Sequence, residues 1–475
     1  MVALSGSGTS AGGFSLPAQQ PKGMLFAQDY FLQSAVIVSS TGLTTDIRFI
    51  LEELNIYETM VGDVVTGDVV LNDSLSHIMH LPLTGFEYLV VTFDKPQPYS
   101  NPIQRVFRIH KISKRGLVQD KNESYLVHFC SEEKILNHQY LVSKSYKGKL
   151  ISDIVTDIYQ NYLKVSGTRF DVSNIETTTG TKDYVVPYIR PFQTLNWLAR
   201  RAQSHKYTGA SYVSFENRDG FHFKTVEGLF DVGSVAQTYN FSIKNVQSLS
   251  DYRISDLPVD FVAVKEFRID QNFDVFKNIV SGMYASNLKT FDPIRQTFTT
   301  NNFDYDSKYN DWKHVEPKQS TSWMAKIQNR LGDAANETPM SLVHFMPTRL
   351  GQTTESAYIK SHQKDIYPDD IEKWLPARKS QMASLNGLHL IITVPGDVAR
   401  KVGEIIEFNL PSIEAETSSD RILDTYYSGR YLITGVRHKI DQYKYETILD
   451  ITKDTTKTGI PAASGNAKVK NLVNM

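Results

Sequence analysis

Cysteine is almost missing from this chain. Cys130 is the only one among 475 residues, so no intrachain disulfide can form. It alternates with His128 and Phe129 in a strand-like pattern, which reads as a buried, inert thiol rather than a nucleophile. Long apolar runs are missing too: none approaches the roughly 20 residues that a membrane helix needs. The residues Met1 to Gly13 are small and polar, with neither a basic start nor an apolar centre. No secretory signal is expected, and folding in a reducing cytoplasm is. Charge of one sign is also lacking. Lys and Arg number 51 and Asp and Glu 52, a net charge of -1. That balance argues against tight, salt-dependent nucleic-acid binding, which needs a basic surface.

Recognisable chemistry is scarce. There is no phosphate loop, paired-His zinc helix, nucleophile elbow or calcium loop. Gly6, Gly8 and Ala11 match the spacing of a dinucleotide fingerprint, but no strand precedes them and no helix follows. His77 and His80 stand three apart, with no third ligand beside them. His438 and Asp441 could imitate a base and its orienting acid, but His438 falls in strand alternation between Val436 and Ile440, as a packed core histidine would. Asp369, Asp370 and Glu372 form an acidic cluster beside Lys373, read as a solvated loop. The expectation is therefore no catalytic residues, no cofactor and no metal, with any subunit contacts unassigned.

What the chain does have is strand pattern. Its 25 Tyr and 24 Phe suit strand faces and subunit contacts. The stretch from Tyr427 to Asp454 alternates with period two on either side of the polar turn Asp441 to Lys444, which predicts a hairpin. The stretch from Arg105 to Glu133 follows the same plan. Arg105 falls near Arg430, Lys111 and Ile112 on Lys439 and Ile440, and Tyr125 near Tyr445. Two related β modules in one chain are expected.

The predicted organisation is α+β, mainly β. Residues 1–22 form a flexible arm and 23–133 a first small antiparallel barrel. An α/β domain takes 134–230 and an irregular insertion 231–380. A second barrel takes 381–455 and a flexible tail 456–475. In the α/β part, Leu150, Ile151, Ile154, Val155, Ile158, Tyr159, Tyr162 and Leu163 recur at helical spacing. Pro191 opens a second helix carrying Phe192, Leu195, Leu198, Ala199 and Ala202 on one face. A hairpin follows, with its turn at Asn217 to Gly220. In the insertion, a helix is expected from Asn272 to about Leu288, with Phe276, Ile279, Val280, Met283 and Tyr284 on one side, and another from Ser322 to Leu331.

The run from Arg190 to Ala202, followed by that from Tyr212 to Phe223, resembles the baseplate hub proteins of contractile bacteriophage tails, particularly the T-even-like group. The segments Val142 to Gly148, Gly282 to Pro293 and Tyr427 to His438 agree in the same order. The hub part of type VI secretion spikes is similar more distantly. The resemblance implies two tube-like barrel domains per chain and a homotrimer whose ring of six barrels joins a sixfold tail tube to a threefold central spike. It implies a channel for DNA in transit, neighbouring tube and baseplate wedge proteins, and a place in the virion after assembly in the host cytoplasm. It implies no catalysis. The stretch Thr299 to Glu355 and both tails lie outside it. The alternatives are a tail-associated cell-wall hydrolase, which needs two carboxylates flanking a cleft, and a glycan-binding tail module.

Overall fold

The structure is a computed structural model that describes residues 26–74, 83–96, 98–119, 122–241, 257–272, 274–292, 296–317, 343–347, 371–385, 387–412 and 423–457. It is mainly β with helices set between strands. Seven strands come first: β1 (Phe31–Val38), β2 (Thr44–Asp46), β3 (Leu51–Thr59), β4 (Thr66–Asp73), β5 (Tyr88–Asp94), β6 (Ile103–Gln119) and β7 (Asn122–Cys130). They alternate buried and half-exposed residues, because successive side chains on a strand point to opposite faces. Phe93, Phe107, Phe129, Leu54 and Val69 meet in one core without solvent exposure. Each such large side chain stabilises the module by about 1.5–3 kcal/mol. The Cβ of any residue at position 67 would press into the Phe129 ring, so only glycine fits there.

Between 131 and 237 the chain forms the α/β part, and the strand after it joins the last sheet. Its strands are β8 (Ser145–Lys149), β9 (Lys182–Val185), β10 (Tyr212–Asn217) and β11 (Gly220–Thr225), and β12 (Thr238–Phe241) follows them. The predicted first helix spans Ile151–Asp157 and runs on as a wider π turn through Tyr162. It buries Ile154, Val155, Ile158 and Tyr159, as the spacing requires. The helix Pro191–Ala199 begins at its proline and buries Phe192, Leu195, Leu198 and Ala199. The hairpin β10–β11 turns through Arg218 and Asp219.

Next come β13 (Ala263–Val264), β14 (Glu266–Asn272), β15 (Ala285–Asp292), β16 (Thr297–Asp304) and β17 (Val343–Pro347), the last three forming a small sheet. The predicted helix over 272–288 is much shorter, Val275–Val280, and β15 takes the rest. Gly282, at φ 74°, stops it. Phe276 and Val280, expected inside, are 83% and 70% exposed, while Met283 and Tyr284 are buried beyond the helix end. The helix expected at 322–331 lies outside the described residues. A helix at Ile371–Ser384 ties this segment to the α/β part. There Arg378 donates to the carbonyls of Ala199, Ala210 and Tyr212 at 2.7–3.0 Å, and burial lowers its pKa to about 10.

The last strands are β18 (Leu388–Pro395), β19 (Ile405–Asn409), β20 (Gly429–Asp441) and β21 (Tyr445–Lys453). The hairpin β20–β21 forms as read. Ile440 pairs with Tyr445, and the Asp441 carboxylate accepts from the amides of Tyr443 and Lys444. This group, however, draws on the segment read as irregular. β14 pairs with β18, and β12 and β13 extend the sheet beyond β19.

The pairings contain one order twice. In the first group it is β3-β4-β7-β6-β5, and in the second β14-β18-β21-β20-β19, all antiparallel and in the same chain order. Both hairpins also carry a bulge at the same place, just after Ile109 in β6 and just after Ile433 in β20. That bulge sets Lys111 against Gly435, not Lys439 as the sequence overlay had it. The overlay was misled because β6 runs on past Gly116, so its turn comes later than the turn of β20. β1 and β12 hold the same outer place but pair in opposite senses with their neighbours.

Candidate assembly site

The two strand groups meet edge to edge. β3 pairs antiparallel with the second half of β20, from Thr59 opposite Gly435 to Glu53 opposite Asp441. The first half of β20 serves β19 instead, so one long strand is shared by two neighbours. On the seam's polar face Glu53 lies 3.4 Å from Arg437 and 3.3 Å from Lys439. Arg437 Nε also donates to Asn55 Oδ1 at 3.0 Å. On the inner face His438 is buried, with Nδ1 2.7 Å from the Tyr445 hydroxyl. Burial lowers its pKa to about 4, so it is a neutral core histidine and does not act with Asp441.

A second contact locks the α/β part against both groups. The tip of the β10–β11 hairpin reaches the point where they join. Glu216 has no exposed surface. Its carboxylate takes an ion pair from Arg105 of β6, another from Arg169 at 2.6 Å, and a hydrogen bond from the Val65 amide at 2.9 Å. Arg169 also grips Glu133 in a two-point pair at 2.7 and 3.0 Å. Burial works against the Arg169 charge, and Glu216 and Glu133 outweigh it, raising its pKa. Burial raises the pKa of Glu133 despite that partner. At the tip, Asn217 donates to the Val402 carbonyl at 3.0 Å, Asp219 pairs with Lys401 at 2.5 Å, and Arg218 bridges Val398 and Asn101. Gly220, at φ 129°, is needed because a Cβ there would strike the Arg169 carbonyl. Glu58 of β3 sits below, fully buried, accepting from the Val402 amide at 3.3 Å. Burial raises its pKa to about 8.

Sequence reasoning took Asn217 to Gly220 as a turn and passed over Glu216 and Arg169. The one available signal was an acidic residue amid Tyr212, Val213, Phe215 and Phe221 on a strand pair. Buried charges of this kind need partners. The other sequence candidates do not converge. Cys130 is buried and burial raises its pKa to about 11, the protonated thiol expected. His77, His80, Asp369 and Asp370 lie outside the described residues, as do Gly6, Gly8 and Ala11. Among the described residues no cluster of His, Cys, Asp or Glu is fit to hold a metal. No helix among them is long and apolar enough to cross a membrane. A cleft of about 430 Å³ opens between residues 98–100, 258–262 and 397–400. Among the described residues Asp397 is the one carboxylate lining it, already held by Tyr239 at 2.8 Å and Arg400 at 3.1 Å. It offers no carboxylate pair for glycoside cleavage.

No protein-family profile matches the chain. It is similar in sequence to the probable baseplate hub protein gp334 of Vibrio phage KVP40, 20% identical over 442 residues that cover 90% of this chain and 95% of that one. Its fold is similar to the tail protein of Neisseria meningitidis MC58, with a TM-score of 0.50, 11% identity, and coverage of 90% of this chain and 96% of that one. A type VI secretion component of E. coli superposes at a TM-score of only 0.40, with 9% identity, over 92% of this chain and 79% of that one. The sequence-based resemblance to phage baseplate hub proteins is thus matched by a sequence relative, and the fold is that of a tail protein.

Proposed function

We propose that this chain is a structural subunit of a phage tail baseplate hub. Three copies form a ring of six similar strand modules that joins a sixfold tail tube to a threefold spike. The observation that carries the reading is the repeated five-strand order joined through β3 and β20 within one chain. Three copies of a chain with two matching modules present six similar units, and cyclic symmetry permits closure by head-to-tail contacts. On this reading residues 31–130 form one module. The other is made of residues 238–272 and 388–453, and the α/β part braces their junction. The tube, spike and wedge proteins are the neighbours, DNA passes through the ring, and the site of action is the virion after assembly in the host cytoplasm. The role is mechanical rather than catalytic.

End-on electron micrographs of the purified protein at high concentration test this. A closed threefold ring with six lobes is expected. A monomer at every concentration, with or without tube and spike proteins of the same phage, would overturn it.

A further inference from the structure

The repeated order places every strand of one module on its counterpart, and two counterparts differ in their company. β3 is the edge strand of the first module and pairs with the second half of β20. Its counterpart β14 is the edge of the second module, and among the described residues it pairs only with β18. β20 in turn corresponds to β6. β5 occupies the first half of β6, up to Arg108, as β19 occupies the first half of β20. Past the shared bulge, the outer side of β6 has no strand beside it among the described residues. The molecule therefore has one such seam made within the chain and the two halves of a second seam left apart.

The side chains fit the missing seam. Pairing through β4 and β18 sets Glu53, Leu54, Asn55 and Ile56 against Glu266, Phe267, Arg268 and Ile269. The acid that faces Arg437 and Lys439 in the inner seam thus has a counterpart in Glu266. On β14, Glu266, Arg268 and Asp270 are exposed, and on β6, Lys111, Lys114 and Arg115 are. Two acids and one base stand on one edge, with Asp270 3.5 Å from Arg268, and three bases on the other, with Arg115 2.8 Å from Glu123 of β7. Apolar side chains are exposed on both edges, Leu117 at 72% and Ile269 at 37%. An open strand edge with such side chains is a template for pairing with another chain.

We propose that β14 of one copy adds antiparallel to β6 of the next copy just beyond its bulge, repeating between chains the seam that β3 and β20 make within one. The inference rests on the ring reading and names the strands that close it. The strand equivalence sets Gln271 of one copy opposite Ser113 of the next, as Tyr57 lies opposite Arg437.

The test is a pair of cysteines, Ser113→Cys with Gln271→Cys, in the full chain. The native Cys130 is buried and stays out of the reaction. Mild oxidation is expected to give covalent dimers and trimers from the double variant and none from either single variant. A charge reversal runs beside it. Glu266→Lys is expected to raise the dissociation concentration of the trimer by about tenfold, since it removes an acid that faces the basic edge of the next copy. A trimer by mass that neither cross-links nor answers to this charge would overturn the seam and leave the hub reading standing. A protein that is monomeric throughout would overturn both.

Discussion

The two strand modules share a frame and differ in what is hung on it. In the first, residues 60–65 link β3 to β4; in the second, residues 273–387 stand between β14 and β18, the same two places. The frame survives because a loop's closing entropy grows only slowly with its length, and part of the insertion joins the core, with Val315 and Leu385 packed into the second module. The cores differ as well. They differ position by position: Phe129, opposite Ile109, is replaced by Ile451, opposite Ile433, while both cores mix aromatic and aliphatic residues. Strand order, the bulge and the alternation are common to both. The comparison teaches that edge geometry is the shared feature, while core residues and loop length are free to vary.

The strongest way to break the pairing of modules is at Glu216. Glu216→Ala leaves Arg105 and Arg169 without their buried acid where the hairpin tip holds both groups. A loss of about 3–5 kcal/mol is expected, read as a lowered midpoint in denaturant unfolding. If the midpoint scarcely moves, the α/β part is not what braces the junction. Next in size are the close approaches. Position 67 faces Phe129 of β7, and position 396 faces Tyr445 of β21, two rings of one core. Gly67→Val and Gly396→Val should each cost about 1–3 kcal/mol, since neither ring has room to retreat. A loss at one site only would show that the other ring has room to move.

Much of this was legible in the sequence, and the limits are physical. Alternation located the closing hairpin because Leu432 to Ile451 are local in the chain. Helical spacing found Ile154 to Tyr159 and Phe192 to Ala199 for the same reason. The seam was not legible, since β3 and β20 are brought together only by folding and a strand's edge leaves no periodicity of its own. β14 was missed because Glu266, Arg268 and Asp270 give it the look of a polar loop; a strand exposed on one edge and one face need not be apolar. Glu216 was missed because one acid in an apolar pattern is as consistent with a turn as with a buried ion pair.

The inner seam should also titrate in two directions. Glu58 of β3 holds its proton up to about pH 8 when folded, against an ordinary value of 4.5. The folded state binds the extra proton in that interval, so Glu58 contributes fully below about pH 4.5 and its contribution is lost as pH rises towards 8. His438 of β20 resists protonation down to about pH 4 when folded, against 6.5 ordinarily. Its contribution is present above 6.5 and lost as pH falls towards 4. Denaturant midpoints measured from pH 5 to 9 should therefore decline on the alkaline side, and Glu58→Gln should flatten that decline. An unchanged slope in this variant would mean that Glu58 is not held protonated at the seam.

The smallest effect gives the finest comparison, because the same change can be made at corresponding places. Glu53 and Glu266 begin the matched stretches of β3 and β14, one inside a seam and one on an open edge. Glu53 is partly exposed, so its pairs with Arg437 and Lys439 are screened by water. Glu53→Gln should lower the unfolding free energy by roughly 0.2–1 kcal/mol and leave the mass of the assembly unchanged. Glu266→Gln should leave unfolding of the dilute monomer as it was and weaken the assembly. The distinction follows from where each acid finds its cations: Glu53 within its own chain, where unfolding parts them, and Glu266 on the next copy, where dilution does. If both substitutions acted on unfolding alone, β14 would be an edge that the molecule keeps to itself, and the likeness of the two modules would end at their frame.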